Sequence, residues 1–117
     1  MTDAVIYHNP RCSKSRSTLA LLESQGIEPE IVLYLEQVPS ERELKALLAK
    51  LDMTPRELLR RGEQAYKDLG LADTSLGDAA LVSAMCEQPR LIERPIVVVG
   101  DRAAIGRPPE NVLSLFD

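Results

Sequence analysis

The first 26 residues place a short apolar run, a turn and a helical segment in direct succession, and this order constrains the fold more than any other feature. Residues 4–7 (AVIY) are apolar and β-prone. His8-Asn9-Pro10 interrupts them, because Asn favours turns and Pro restricts the residue before it. Leucines in a helical context follow from residue 13 to about 25, and Gly26 is a suitable stop. The stretch predicts a strand, a loop and a helix start.

The rest of the chain continues this order around a block of helices. A second strand is predicted over 30–35, and capping boxes at Ser40 and Thr54 begin two helices, the second running through Arg60. Further helices are predicted over 63–69, 78–87 and 110–116, and the runs 95–99 and 102–105 form a hairpin around Gly100-Asp101. The order β-α-β-(helical insert)-β-β-α predicts an α/β, thioredoxin-like (glutaredoxin-like) fold. We expect a single domain over residues 1–117, with the insert at about 40–88.

Composition and charge exclude several classes of function. Hydrophobic residues make up 44% and charged residues 27% of the chain, which is ordinary for a soluble domain. The net charge of −4 disfavours a nucleic-acid partner. No apolar run has the length of a membrane span, and the N-terminus does not resemble a signal peptide, so we expect a cytoplasmic protein. Two Cys and one His without ligand spacing predict no metal site.

Cys12 lies in the most unusual charge environment of the chain. Arg11, Lys14 and Arg16 lie within four residues of it, at a predicted helix N-terminus. Free backbone N–H groups, the helix dipole and nearby cations all favour a thiolate, and the same groups can hold an oxyanion. The alternative is an incidental thiol on a solvated, charged face.

The neighbours of Cys12 narrow the chemistry further. Ser15 stands where a dithiol motif needs a second Cys, and Thr18 stands where the Cys-x5-Arg phosphatase loop needs Arg. A one-thiol mechanism that takes its second thiol from another molecule remains. His8 could be a base or charge partner, or could organise the loop, and we favour the loop role. Cys86, on an apolar helix face, is expected to be a buried structural residue.

Several separate stretches of the sequence together resemble one known family. The motif His8-x3-Cys12-x3-Arg16 behind a short strand is similar to the glutaredoxin-linked arsenate reductase (ArsC) family. The resemblance covers essentially the whole chain, and its short YfgD-like branch is the most similar, through NPRCSKSR and IGRPP. The other matching stretches are YHNP, EP at 28–29, LYLE, LLR at 58–60, LGLA, RPIVV and RP at 107–108.

The resemblance implies a mechanism and a set of site residues. Cys12 would be the nucleophile that attacks arsenate, and Arg60, Arg94 and Arg107 would hold the oxyanion. Glutathione would attack the arsenylated sulfur and glutaredoxin would resolve the product, with arsenite released. Pro95 would be the family's cis-proline. No bound cofactor is expected, glutathione is a co-substrate, and the protein is expected to be a monomer.

Some residues differ from the family pattern or have weaker assignments. Ser13-Lys14 follows Cys12 where plasmid-type reductases have small residues, so another oxyanion or a glutathione adduct remains a possible substrate. For Arg16 the sequence leaves two roles open: binding an anion or glutathione, and lining the first helical turn. Ser15 and His8 would support the loop. The other functions left open are an Spx-like redox-responsive regulator, which usually has a CxxC switch, and a general thiol oxidoreductase.

Overall fold

The strands form one mixed sheet. In this computed structural model, which describes residues 4–116, the strands are β1 (Ala4–Tyr7), β2 (Glu30–Val32), β3 (Ile96–Val99) and β4 (Arg102–Ile105). Their order in the sheet is β2-β1-β3-β4. β1 is parallel to β2 and antiparallel to β3, and β3 and β4 form an antiparallel hairpin. This topology confirms the predicted thioredoxin-like fold.

The chain forms two compact units, and the sheet belongs to the first, which comprises the residues before 38 and after 93. Helix α1 (Ser13–Ser24) connects β1 to β2, and a 3₁₀ helix (Pro109–Phe116) follows the hairpin. A buried apolar cluster lies between the sheet and these helices. Burial of each large aliphatic side chain stabilises the folded state by about 1.5–3 kcal/mol. The cluster consists of Ile6, Leu22, Val97, Val112 and Leu115.

The second unit comprises residues 38–93 and is mainly helical. Both predicted capping boxes are present: the hydroxyl oxygens of Ser40 and Thr54 accept the N–H groups of Glu43 and Glu57, and each glutamate accepts a bond in return. Its helices are α2 (Glu41–Leu51), α3 (Pro55–Leu58), α4 (Gln64–Asp68), α5 (Asp78–Glu87) and a 3₁₀ helix (Pro89–Leu91). The prediction of a single domain over the whole chain stays a prediction.

Three elements differ from their predicted form. β2 ends at Val32 rather than at 35, because the chain turns and Glu36 N–H bonds to the Leu33 carbonyl at 2.9 Å. The last helix is 3₁₀ rather than α, as the 3.0 Å bond from Asn111 N–H to the Pro108 carbonyl indicates.

The third difference concerns the end of α3, which was predicted to continue through Arg60. The helix stops at Leu58, and Leu59 adopts an extended conformation and forms an antiparallel bridge with Ile92. Arg60 N–H donates to the Leu91 carbonyl at 2.8 Å, and Glu93 N–H donates to the Leu58 carbonyl at 3.0 Å. Bonds between residues so far apart in the chain replace the last helical turn.

Within residues 4–116, no helix combines the length and the apolar character needed to cross a bilayer.

Candidate active site

Cys12 lies at the junction of the loop after β1 and the start of α1. It is the N-cap residue of the helix, with an extended backbone (φ −95°, ψ 123°), and its side chain is partly exposed. Its N–H donates to the Asn9 carbonyl at 3.0 Å, and the Asn9 side chain accepts the N–H of Arg11 at 3.0 Å. The Asn-Pro turn therefore holds the sulfur at the open end of the helix.

Beneath this loop, His8 and Ser15 form a buried polar pair. His8 is 6% exposed and Ser15 is 0% exposed. Ser15 Oγ lies 2.6 Å from His8 Nδ1 and accepts the N–H of Asn9 at 3.0 Å. Burial and then the positive charge of Arg16 lower the pKa of His8, so the ring is neutral near neutral pH. A neutral ring organises the loop and supplies no positive charge to the thiolate.

The surroundings of the Cys12 sulfur favour the thiolate. Partial burial raises the pKa of Cys12, but the backbone N–H of Ser15, the Arg94 side chain and the backbone N–H of Lys14 together lower it by more. The pKa is therefore below that of an ordinary cysteine. Because the thiolate is the nucleophilic form, the group is more reactive than a simple surface thiol near neutral pH.

Two arginines from the segments flanking the β3–β4 hairpin complete the positive environment. Arg107 Nη2 donates to Cys12 Sγ at 3.5 Å, and Arg107 Nε donates to the Arg94 carbonyl at 2.8 Å. The donor groups and the charge of the Arg94 side chain also lower the pKa of Cys12. The peptide bonds that precede Pro95 and Pro108 are cis. Three of the residues singled out in the sequence, Cys12, Arg94 and Arg107, are thus in contact in the structure.

The remaining predicted cations make different contacts. Arg16 Nη1 donates to the Pro10 carbonyl at 2.9 Å, which ties the first turn of α1 to the loop. Arg60, in the second unit, donates from Nη1 to Glu93 Oε1 at 2.7 Å, and its Nε lies 3.4 Å from a Glu63 oxygen. The i,i+3 spacing is a local signal for the Glu63 pair, whereas no sequence pattern indicated Glu93, which lies 33 positions from Arg60.

The second cysteine has the opposite environment. Cys86 is a free thiol that is partly exposed, so the prediction that it is buried is wrong. Its partial burial, followed by the charges of Glu41 and Glu43, raises its pKa. It is therefore the less reactive of the two thiols at neutral pH. In the described part of the chain no three His, Cys, Asp or Glu side chains are grouped so that they could hold a metal ion.

The fold and site together define a thioredoxin-like protein with a single activated thiol and an adjacent pair of arginines. The ArsC family model matches residues 7–115. The chain is 57% identical to YfgD of Escherichia coli (strain K12) over 111 residues, which is 94% of this chain and 93% of that protein. It is 51% identical to an arsenate reductase of Haemophilus influenzae over 113 residues, covering 96% of this chain and 97% of that protein.

A solved structure agrees with these sequence matches. The arsenate reductase from Vibrio cholerae superimposes with a TM-score of 0.94 at 55% identity, covering 97% of each chain. The chain belongs to the ArsC family.

Proposed function

We propose that this chain is an arsenate reductase in which the Cys12 thiolate attacks arsenate. One observation carries the proposal: the guanidinium of Arg107 lies 3.5 Å from a sulfur whose pKa is lowered by helix N–H groups and by Arg94. Such a group is both a nucleophile and part of an anion site. The relatives named as arsenate reductases support arsenate as the anion.

The geometry suits a tetrahedral oxyanion for a general reason. Guanidinium groups offer planar pairs of donors that match two oxygens of such an anion, and their charge does not depend on pH. We assign this role to Arg94 and Arg107. Arg60 is proposed as the third arginine on the family resemblance, and its guanidinium would have to share or release the carboxylates of Glu63 and Glu93 to bind an anion.

The chemistry requires two electrons from outside the chain. The Cys12 sulfur forms a bond to arsenic, and an arsenate oxygen leaves as water. Reduction of As(V) to As(III) then requires two thiols to become one disulfide, so that arsenate and two thiols yield arsenite, a disulfide and water. Ser15 stands at the position of a second active-site thiol, and its hydroxyl is bonded to the loop. Glutathione and glutaredoxin are therefore proposed as the donors.

The proposed setting of the reaction follows from these donors. Glutathione is a reductant of the cytoplasm, and two free thiols suit a reducing compartment. We propose that the protein acts there as a monomer, which a measurement of its mass in solution tests directly.

Release of arsenite from arsenate, with glutathione and glutaredoxin in excess, tests the proposal. We expect turnover by the wild type, none by Cys12→Ser, and wild-type turnover by Cys86→Ser, which also removes one thiol. Undetectable arsenite from the folded wild type would refute the proposal. If that protein instead cleaved a glutathione mixed disulfide, its function would be that of a general thiol oxidoreductase.

A pair of arginine variants tests the anion site separately. Arg107→Lys keeps the charge but loses the planar pair of donors, so we expect kcat/KM for arsenate to fall by about tenfold or more. Arg102→Lys is the matched control, because Arg102 lies one hairpin strand away and donates to the Ser114 carbonyl. Equal activity of the two variants would remove Arg107 from the proposed site.

A further inference from the structure

Gly106, immediately before Arg107, is packed against the first helix too closely to carry a side chain. A Cβ added to this residue would overlap Oγ1 of Thr18 and would lie 2.9 Å from both Cγ2 of Thr18 and Cγ of Pro95. Real Cβ atoms essentially never come this close to other heavy atoms. The absence of a side chain at Gly106 therefore allows the hairpin exit to lie directly on α1.

Thr18 has little freedom to make room for an added methyl group. It is 0% exposed, and its Oγ1 donates to the Lys14 carbonyl at 2.8 Å and lies 3.4 Å from the Gly106 carbonyl oxygen. Both branches of its side chain face Gly106. Rotation about χ1 leaves a heavy atom in at least one of those two positions, because only one of the three substituents on Cβ is hydrogen.

The same contact controls where the Arg107 guanidinium can lie. Gly106 N–H donates to the Pro95 carbonyl at 3.0 Å, and the next residue reaches Cys12 Sγ with its Nη2 at 3.5 Å. Arg107 Nε also donates to the Arg94 carbonyl at 2.8 Å. A displacement of the backbone at Gly106 moves the start of this side chain, and a shift of a few tenths of an ångström weakens an N–H···S contact that is already 3.5 Å long.

We propose that Gly106 is a positioning residue that acts through Thr18: the fit between them sets the distance from the Arg107 guanidinium to the Cys12 sulfur. The expected effect of this fit on arsenate turnover rests on the proposed function. The expected effect on the pKa of Cys12 does not, because that pKa can be measured without arsenate.

The rate of iodoacetamide alkylation of Cys12 as a function of pH tests the proposal, with Cys86→Ser as the background so that one thiol reports. In Gly106→Ala we expect the midpoint to rise, so that alkylation below the midpoint slows by about tenfold for a shift of one pH unit. Gly106→Ala/Thr18→Ala should bring the midpoint back toward the wild-type value, because alanine removes both branches of Thr18 and leaves only the 2.9 Å contact with Pro95 Cγ, the end of a proline ring. Gly106→Ala/Thr18→Val should not, because valine keeps them.

Gly77→Ala is the matched control, since a Cβ there meets no atom within 4 Å. It should leave the midpoint unchanged. A folded Gly106→Ala with the wild-type midpoint would overturn the proposal, as would equal midpoints in the two double variants.

The design also covers a Gly106→Ala protein that fails to fold. In that case Gly106→Ala/Thr18→Ala must fold, with a midpoint nearer to that of Thr18→Ala alone than to that of an unfolded cysteine. A double variant that fails to fold, or that has the midpoint of an unfolded cysteine, counts against the proposal. In arsenite assays on the same variants, kcat/KM should fall in Gly106→Ala and recover in Gly106→Ala/Thr18→Ala. A wild type without turnover, together with the expected alkylation pattern, would refute the proposed function and leave this inference intact.

Discussion

Among the groups of the loop, the Ser15 hydroxyl is the one whose removal should lower the free energy of unfolding most. It bonds to His8 Nδ1 at 2.6 Å and to the Asn9 N–H at 3.0 Å, and all three residues are buried. Ser15→Ala leaves both partners without this oxygen while the helix backbone is unchanged. The backbone N–H of Ser15, which stabilises the thiolate, also remains.

The magnitude follows from the burial of the two partners. A buried polar group left unsatisfied costs about 1–3 kcal/mol, so two of them should lower the free energy of unfolding by roughly 2–6 kcal/mol. That is a large part of the ~5–15 kcal/mol that stabilises a typical domain. For a chain of 117 residues, in which 1 kcal/mol shifts Tm by about 4 °C, this loss corresponds to a decrease in Tm of roughly 8–24 °C.

Urea unfolding followed by circular dichroism measures this loss directly. Ser24→Ala is the matched control in the same helix, because the Ser24 hydroxyl is exposed and bonds only to the Leu21 carbonyl. It should change the free energy of unfolding by less than about 0.5 kcal/mol. If Ser15→Ala cost no more than Ser24→Ala, the view that the His8–Ser15 pair holds the loop would be wrong.

Three further predictions concern the second thiol, the histidine and a helix cap. Burial and two α2 glutamates raise the pKa of Cys86, so brief labelling near neutral pH should modify Cys12 first, as peptide mass spectrometry would show. The pKa of His8 is lowered by burial and by a nearby arginine, so stability should be full above about pH 6.5 and fall as the unfolded histidine protonates below it. The wild type should thus lose more stability than His8→Asn between about pH 7.5 and 5.5, and equal losses would contradict this. Ser40→Ala removes the α2 cap and should lower the free energy of unfolding by about 1 kcal/mol, whereas no change in the urea midpoint would show that the cap contributes nothing.

The sequence predicted those parts of the structure that depend on local chemistry. Both capping boxes, the bounds of α5 and the hairpin strand β4 follow from residue types within a few positions of one another. The β3–β4 hairpin and the thioredoxin-like fold followed from the succession of elements, because a β-α-β unit and a hairpin leave few ways to build one sheet. Cys12 was found in the same way, since the cations and the helix start are its neighbours in the chain.

The features that the sequence did not indicate depend on residues far apart in the chain. The early end of α3 results from bonds to residues 91–93, which replace a helical turn that local propensity favours. The contact of Gly106 with Thr18 joins residues 88 positions apart. In the sequence Gly106 is one of four residues that simply interrupt a strand pattern, and nothing nearby shows that its missing side chain matters.

The activated thiol therefore combines a local and a distant contribution, and the two should be separable. The N–H groups of Ser15 and Lys14 are present whenever α1 forms, and the bond from the Ser15 N–H is the largest single interaction that lowers the pKa of Cys12. Arg107 depends on the packing of the hairpin exit. Loss of Arg107 should thus leave the alkylation midpoint of Cys12 between those of the wild type and an unfolded cysteine. A midpoint equal to that of the unfolded chain would mean that the helix start and Arg94 contribute little to the thiolate and that Arg107 alone sustains it.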